Sequence, residues 1–226
     1  MCSEKLYKWY NRKVRFQFPE RDDGVKNKAL KESEPFILER WGEEKGSRIM
    51  ALSYTRLEQL CRENSGDVKA VKTHTENNIF PCMSLYESMQ ECGIAADEAL
   101  DFLDKLWSRR AEPGAASISK ILKIAGLYKL YPAVFKFVAK NQFGVAAGFQ
   151  AKFYDCGKGR CKFDMTKCLF CETCKRYGCP ELTKCFCHVD DVNNGNLHPR
   201  LCWNRTQYMG GGGDVCDFDI FVTEKK

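Results

Sequence analysis

The chain has 226 residues, enough to bury a core without the covalent staples that chains below roughly 70–80 residues need. Hydrophobic residues make up 44% and charged residues 29%, which excludes a wholly disordered chain, and no charge-free run is long enough to span a membrane. The net charge of +6 is diffuse: residues 1–147 hold 24 basic against 20 acidic side chains, and residues 148–226 hold 12 against 10. No concentrated basic face results, so nucleic acid is not an expected partner.

The start, Met1-Cys2-Ser3-Glu4-Lys5-Leu6, has no apolar export core, and the expected location is cytoplasmic. Residues 1–23 are charged and aromatic without a period and read as an arm or short helix. Residues 25–62 place Leu30, Ile37, Trp41, Ile49, Leu57 and Leu60 at helical intervals broken by Pro35, Gly42 and Gly46, which fits one interrupted helix or two short ones. Residues 1–70 are thus expected as an N-terminal helical arm, and 71–226 as the main domain. Ile79, Met83, Tyr86 and Met89 stripe a helix that stops at Gly93. Asp97 and Glu98 open a second, and Pro113-Gly114 is expected to break the chain. A third helix is predicted from a Ser117 cap to about Lys140, kinked at Pro132. Its lysines around an apolar face fit a core helix with a solvated side better than a membrane-surface helix.

At Gly144 the period falls to two. Phe149 to Tyr154 and Cys161 to Met165 flank a glycine-containing turn and predict a hairpin. Short helices are predicted over 167–177 and 180–191, with Pro180 suited to a first turn. A second hairpin, Leu201 to Tyr208 and Val215 to Val222, closes the chain across Gly210 to Gly213. The expected class is α+β, a helical half followed by an antiparallel sheet of two hairpins with inserted short helices.

Fourteen cysteines are present, ten of them between Cys156 and Cys216. In a cytoplasmic chain these are reduced thiols, available for metal binding, catalysis or burial. Cys168, Cys171, Cys174 and Cys179 approach the spacing of an iron–sulfur run, and zinc also accepts such pairs; burial as small hydrophobes is the plainer alternative. On the helix near 180–191, Leu182, Phe186 and Val189 form the apolar stripe. Cys187, Asp190 and Asp191 fall on one flank, and Glu181, Cys185 and His188 on the other. A thiol one turn from a carboxylate is a candidate nucleophile with a proton carrier, with His188 as a further base, although a buried cysteine beside solvated acids gives the same spacing. Arg205 sits mid-strand, where its planar donors suit a carboxylate, either a ligand's or that of a strand aspartate. In the last strand Cys216, Phe218, Ile220 and Val222 face one way, and Asp217 and Asp219 the other. His74 and His198 are expected as surface positions, and the four-glycine loop as a flexible turn.

Taken as an ordered set, Cys179-Pro180-Glu181-Leu182, Phe186-Cys187 with Asp190, Asn196-Leu197-His198-Pro199, Arg205-Thr206 and Gly211 to Phe218 resemble the L-2-amino-thiazoline-4-carboxylate hydrolase family. Leu85-Tyr86-Glu87 and Ala96 to Ala99 are similar to its upstream part, and the likeness spans roughly residues 75–222. It implies a hydrolase acting on carbon–nitrogen bonds of cyclic amidines, in which water opens a thiazoline ring to give N-carbamoyl-cysteine. Cys187, Asp190, Glu181 and His188 are the candidate catalytic residues, and Arg205, Cys216 and Asp217 the candidates for holding a small carboxylate substrate. The resemblance requires no cofactor. Cys156, Cys161, Cys168, Cys171, Cys174, Cys185 and Cys202 stand outside its pattern, which keeps open a zinc or iron–sulfur module, or a small-molecule sensor without turnover.

Overall fold

A computed structural model of the chain describes residues 27–223; the arm expected over residues 1–23 lies outside them. Helix α1 spans Lys28–Glu63. Its first turn is capped by Asn27, whose side-chain oxygen accepts from the amides of Ala29 at 2.9 Å and Leu30 at 3.3 Å, satisfying donors that a helix start leaves orphaned. The expected interruption falls at Gly42, whose φ of 76° and ψ of 171° leave the helical region. Only glycine takes such a φ without steric cost; Pro35 is accommodated inside the helix.

Helix α2, Lys69–His74, runs through a π-helical turn, Thr75–Ile79, into α3, Phe80–Glu91. Nearly every side chain of α3 is buried, so it forms the axis on which the helical half is built. Helix α4 spans Ala96–Leu122, which corrects the break expected at Pro113-Gly114. The helix passes through Pro113, and Ser117, expected to cap a new helix, bonds back instead to the Pro113 carbonyl at 2.8 Å. The predicted 117–140 helix is likewise divided. A left-handed Gly126 (φ 79°) and a 3₁₀ turn at Leu127–Leu130 precede α5, Tyr131–Gln142. Pro132 sits in the first turn of α5, where its missing amide costs nothing, so it starts a helix rather than kinking one.

The sheet comprises β1 (Gln150–Phe153), β2 (Arg160–Lys167), β3 (Leu201–Asn204) and β4 (Cys216–Val222). Between β2 and β3 lie α6, Leu169–Arg176, and α7, Thr183–Asn194, the latter entered by a 3₁₀ turn at Pro180–Leu182. Every pairing is antiparallel, and the order is β1-β2-β4-β3. The two hairpins are therefore fused through β2 and β4, with Phe163 opposite Phe218 and Met165 opposite Cys216. Because side chains alternate along a strand, this register brings Cys161, Phe163 and Met165 of β2 beside Ile220, Phe218 and Cys216 of β4 on one buried face.

Two apolar clusters hold the molecule together. One joins Leu30, Ile37, Ile49, Leu57 and Leu60 of α1 to α3, α4 and the start of α7; the other joins the inner sheet face to α5 and the end of α4. The described part of the expected N-terminal arm therefore shares its core with the helices that follow. Leu169 and Phe170 of α6 touch both clusters. No helix among the described residues is long and apolar enough to cross a membrane.

Candidate active site

Where the inner sheet face meets the helices, packing leaves a cavity of about 230 Å³. Phe163, Met165, Trp203, Cys216 and Phe218 line it from the sheet, Phe186, Cys187, Val189 and Asp190 from α7, and His74 and Asn78 from α2 and the π-turn. Trp107, Phe135, Gln142, Phe143, Phe149, Cys168 and Phe170 complete the wall. Helix α7 supplies the chemistry because of its phase. Cys187 and Asp190 are one turn apart and share a flank, and that flank faces β4.

Cys216 enters from the first position of β4 and forms a thiol–thiol hydrogen bond with Cys187. The Met209 amide also donates to the Cys216 sulfur at 3.3 Å, and the Arg205 guanidinium adds positive potential. The Cys187 hydrogen bond, the amide and the guanidinium together lower the Cys216 thiol to about 7 against the cost of burial. Cys187 moves the other way, held as a thiol by donating to its neighbour and by burial. The thiolate of the pair therefore sits on Cys216, because only that sulfur has an amide donor besides its partner thiol. Cys168, the third thiol in the wall, is pushed up to about 12 by burial.

Asp190 is raised to about 7, chiefly by burial, with Arg205 opposing and the Cys216 and Asp191 charges reinforcing. Its side chain is nonetheless 45% exposed: protein surrounds it, while the cavity it lines admits water to its carboxyl. Arg205 is 4% exposed and lies behind the wall rather than in it. Its Nη2 donates to Asp191 at 2.7 Å and to the Cys187 carbonyl at 3.2 Å. Its Nη1 stands 3.9 Å from Asp190 and makes no hydrogen bond. The carboxylate it pairs with is thus on α7, not on the last strand. Asp191 is held from its second oxygen by the Trp203 indole at 2.9 Å.

The remaining candidates lie elsewhere. Glu181 accepts from the Tyr86 hydroxyl at 2.6 Å and does not line the cavity. His188 faces the opposite flank, 3.0 Å from Asp104, in a separate acidic cleft that also contains Cys185, Asp97, Asp101 and Asp191. Asp217 points away from Cys216 and clamps the turn before β4, accepting from the Thr206 amide at 2.9 Å and the Gln207 amide at 2.8 Å; burial alone would raise its carboxyl, but hydrogen bonds from Thr206 and Gln207 hold it below the ordinary range.

The four spaced cysteines, read as either a metal run or small buried hydrophobes, do not gather at one point. Cys168 lines the cavity, Cys174 is hydrogen-bonded to Cys179 in the helical core, and among the described residues no group of three or more histidine, cysteine or acidic side chains is arranged to hold a metal ion. Their spacing fixes neighbours along α6 but not the direction in which each sulfur points.

Two features escaped sequence reasoning. His74, expected at the surface, is buried and lines the cavity. Its Nε2–H donates to the Gln142 carbonyl at 3.1 Å, and burial lowers its pKa, so the ring is neutral with Nδ1 an unprotonated acceptor. The spacing of His74 and Asn78, four residues apart ahead of an apolar stripe, was the available signal. The glycine loop is not a free turn either. A Cβ on Gly210 would lie 3.0 Å from the Cys187 sulfur and 3.1 Å from Thr183 Cγ2, so glycine is what lets the Met209 backbone approach the thiol pair.

This is an α+β fold whose cavity brings a lowered thiol and a raised carboxyl together. Residues 72–220 match the family model for L-2-amino-thiazoline-4-carboxylic acid hydrolase, and the chain belongs to that family. Searches of curated proteins and of solved structures gave no match.

Proposed function

We propose that the protein is a hydrolase that opens the ring of a cyclic amidine, the class to which the compound in the family's name belongs, using Cys216 as nucleophile and Asp190 as proton carrier. The observation that carries this reading is the convergence on one cavity of Asp190 and of Cys216, whose sulfur accepts the Met209 amide at 3.3 Å beside Cys187; these surroundings lower the thiol and raise the carboxyl, which suits each to the opposite half of the chemistry.

In the first half, the Cys216 thiolate adds to the amidine carbon between ring nitrogen and ring sulfur. The ring carbon–sulfur bond breaks, and the departing thiolate takes the proton of Asp190. In the second half, water adds across the carbon–nitrogen double bond of the enzyme-bound amidine. Asp190 takes one water proton, the bond to Cys216 breaks, and the remaining hydroxyl proton passes to nitrogen as the urea carbonyl forms. Applied to 2-aminothiazoline-4-carboxylate, the product is N-carbamoyl-cysteine, and both enzyme groups return to their starting state. The nucleophile favoured here is Cys216 rather than Cys187, for which the same geometry supports the role of hydrogen-bond donor.

The test is ring opening of 2-aminothiazoline-4-carboxylate, followed by release of a free thiol, in the parent, Cys216→Ala and Cys187→Ser. Loss of at least a thousandfold in the first with partial activity in the last is expected. Full turnover by Cys216→Ala excludes the covalent route, and no turnover by the parent removes this compound as substrate.

A further inference from the structure

The cavity wall contains four acidic or thiol functions, Asp190 with Cys168, Cys187 and Cys216, and no lysine or arginine. Arg205, behind the wall, is already shared between Asp191 at 2.7 Å and Asp190 at 3.9 Å. With Asp190 protonated, as the hydrolytic cycle begins, Arg205 and Asp191 cancel and the Cys216 thiolate leaves the site negative; ionising Asp190 makes it more so. A substrate carboxylate would be a third acid on one guanidinium, in a site where an unpaired buried charge is costly. An amidine headgroup, protonated and positive, suits the same field, and flat cations also gain from the faces of the surrounding rings.

The rest of the wall points the same way. Nine aromatic rings face the space, Phe163 being stacked on Phe218 with centroids 4.8 Å apart. Besides Asp190 and the thiols, the polar groups of the wall are uncharged: His74, whose Nε2–H is on the Gln142 carbonyl, the side chains of Asn78 and Gln142, and the Trp107 indole N–H, which is buried without a partner. A dry cavity of ~150 Å³ holds benzene, so about 230 Å³ takes a heterocycle of roughly nine heavy atoms. Volume therefore allows a five-membered amidine with a three-atom substituent, and charge decides which substituent.

We infer that this chain acts on a cyclic amidine bearing an uncharged apolar group at the ring position where the compound named for the family carries its carboxylate. The inference rests on the cyclic-amidine reading above and names its substrate class.

The comparison uses two compounds equal in heavy atoms and branching, 2-aminothiazoline-4-carboxylate and 2-amino-4-isopropyl-4,5-dihydrothiazole. Binding to the whole protein is followed by the fluorescence of Trp107 and Trp203, and turnover by thiol release. The isopropyl compound is expected to bind at least tenfold more tightly and to have the larger kcat/KM. Gln142→Lys places a cation in the wall at the last residue of α5 and should shift the preference toward the carboxylate by at least tenfold. Equal or tighter binding of the carboxylate by the parent overturns the inference, as does binding of neither compound. Tighter binding of the isopropyl compound with turnover of neither upholds the ligand class and removes the hydrolase reading instead.

Discussion

Replacing Asp190 by Asn tests the electrostatics of the cavity without relying on any substrate. The carboxyl is raised from 3.8 to about 7 in the folded protein, so the ionised form is disfavoured by folding. Its contribution to stability is fully present below pH ~4 and is lost as pH rises through about 7. Three pKa units correspond to about 4 kcal/mol. Since 45% of the side chain is reached by solvent through the cavity, screening reduces the usable figure to roughly 2 kcal/mol. Asparagine keeps the shape and has no charge to bury. Asp190→Asn and the parent should therefore melt together near pH 4. Near pH 8 the variant should be the more stable by roughly 2 kcal/mol, or about 4–8 °C in Tm. Thermal unfolding across that pH range makes the comparison. A difference that does not vary with pH, or a variant less stable at pH 8, would show that Asp190 is not a strained carboxyl and would remove it as a proton carrier at neutral pH.

Other outcomes follow from the same geometry. Turnover should follow a bell centred near pH 7, rising as Cys216 ionises and falling as Asp190 loses its proton; a profile flat from pH 6 to 8 contradicts the pairing. Cys187→Ala removes a donor to the Cys216 sulfur. The pH at which Cys216 reaches half its maximal rate of iodoacetamide alkylation should then move from about 7 toward the ordinary thiol range near ~8.5. An unchanged midpoint would mean that Arg205 and the Met209 amide suffice. Gly210→Ala sets a methyl 3.0 Å from the Cys187 sulfur and 3.2 Å from the Lys184 amide. It should cost about 1–3 kcal/mol by overpacking and slow Cys216 alkylation at pH 7, whereas a neutral effect would show that the loop is free to move. Arg205→Lys cannot bond both Asp191 and the Cys187 carbonyl, and should lose about 2 kcal/mol in chemical denaturation; parental stability would mean that the buried guanidinium contributes little.

Much of the fold was legible in the chain because its signals are local. The α3 stripe, the cap-like acids at the start of α4, the period-2 runs of both hairpins and the proline turn before α7 each depend on residues a few positions apart. The phase of α7 was legible for the same reason, and it separates the flank with Cys187 and Asp190 from the flank with Cys185 and His188. The misread helices have a physical cause as well. Proline in a long helix loses one hydrogen bond, and α4 continues through Pro113 with Ile118 and Leu122 buried in the core beyond it, a gain that no local window contains.

By itself, then, the sequence determined the α+β order, the elements that carry the thiols and acids, and the resemblance to a hydrolase family. The tertiary structure alone decided that β4 lies between β2 and β3, which delivers Cys216 to Cys187, and that Arg205 answers to Asp191 rather than to an aspartate of the last strand. It also decided that His74 is buried while His188 is outside, and that Cys168 lines the cavity while Cys174 and Cys179 meet in the helical core. The reason is common to all of these. Periodicity fixes the face of an element on which a side chain stands, but not which other face it meets, and a pKa is set by whatever stands opposite.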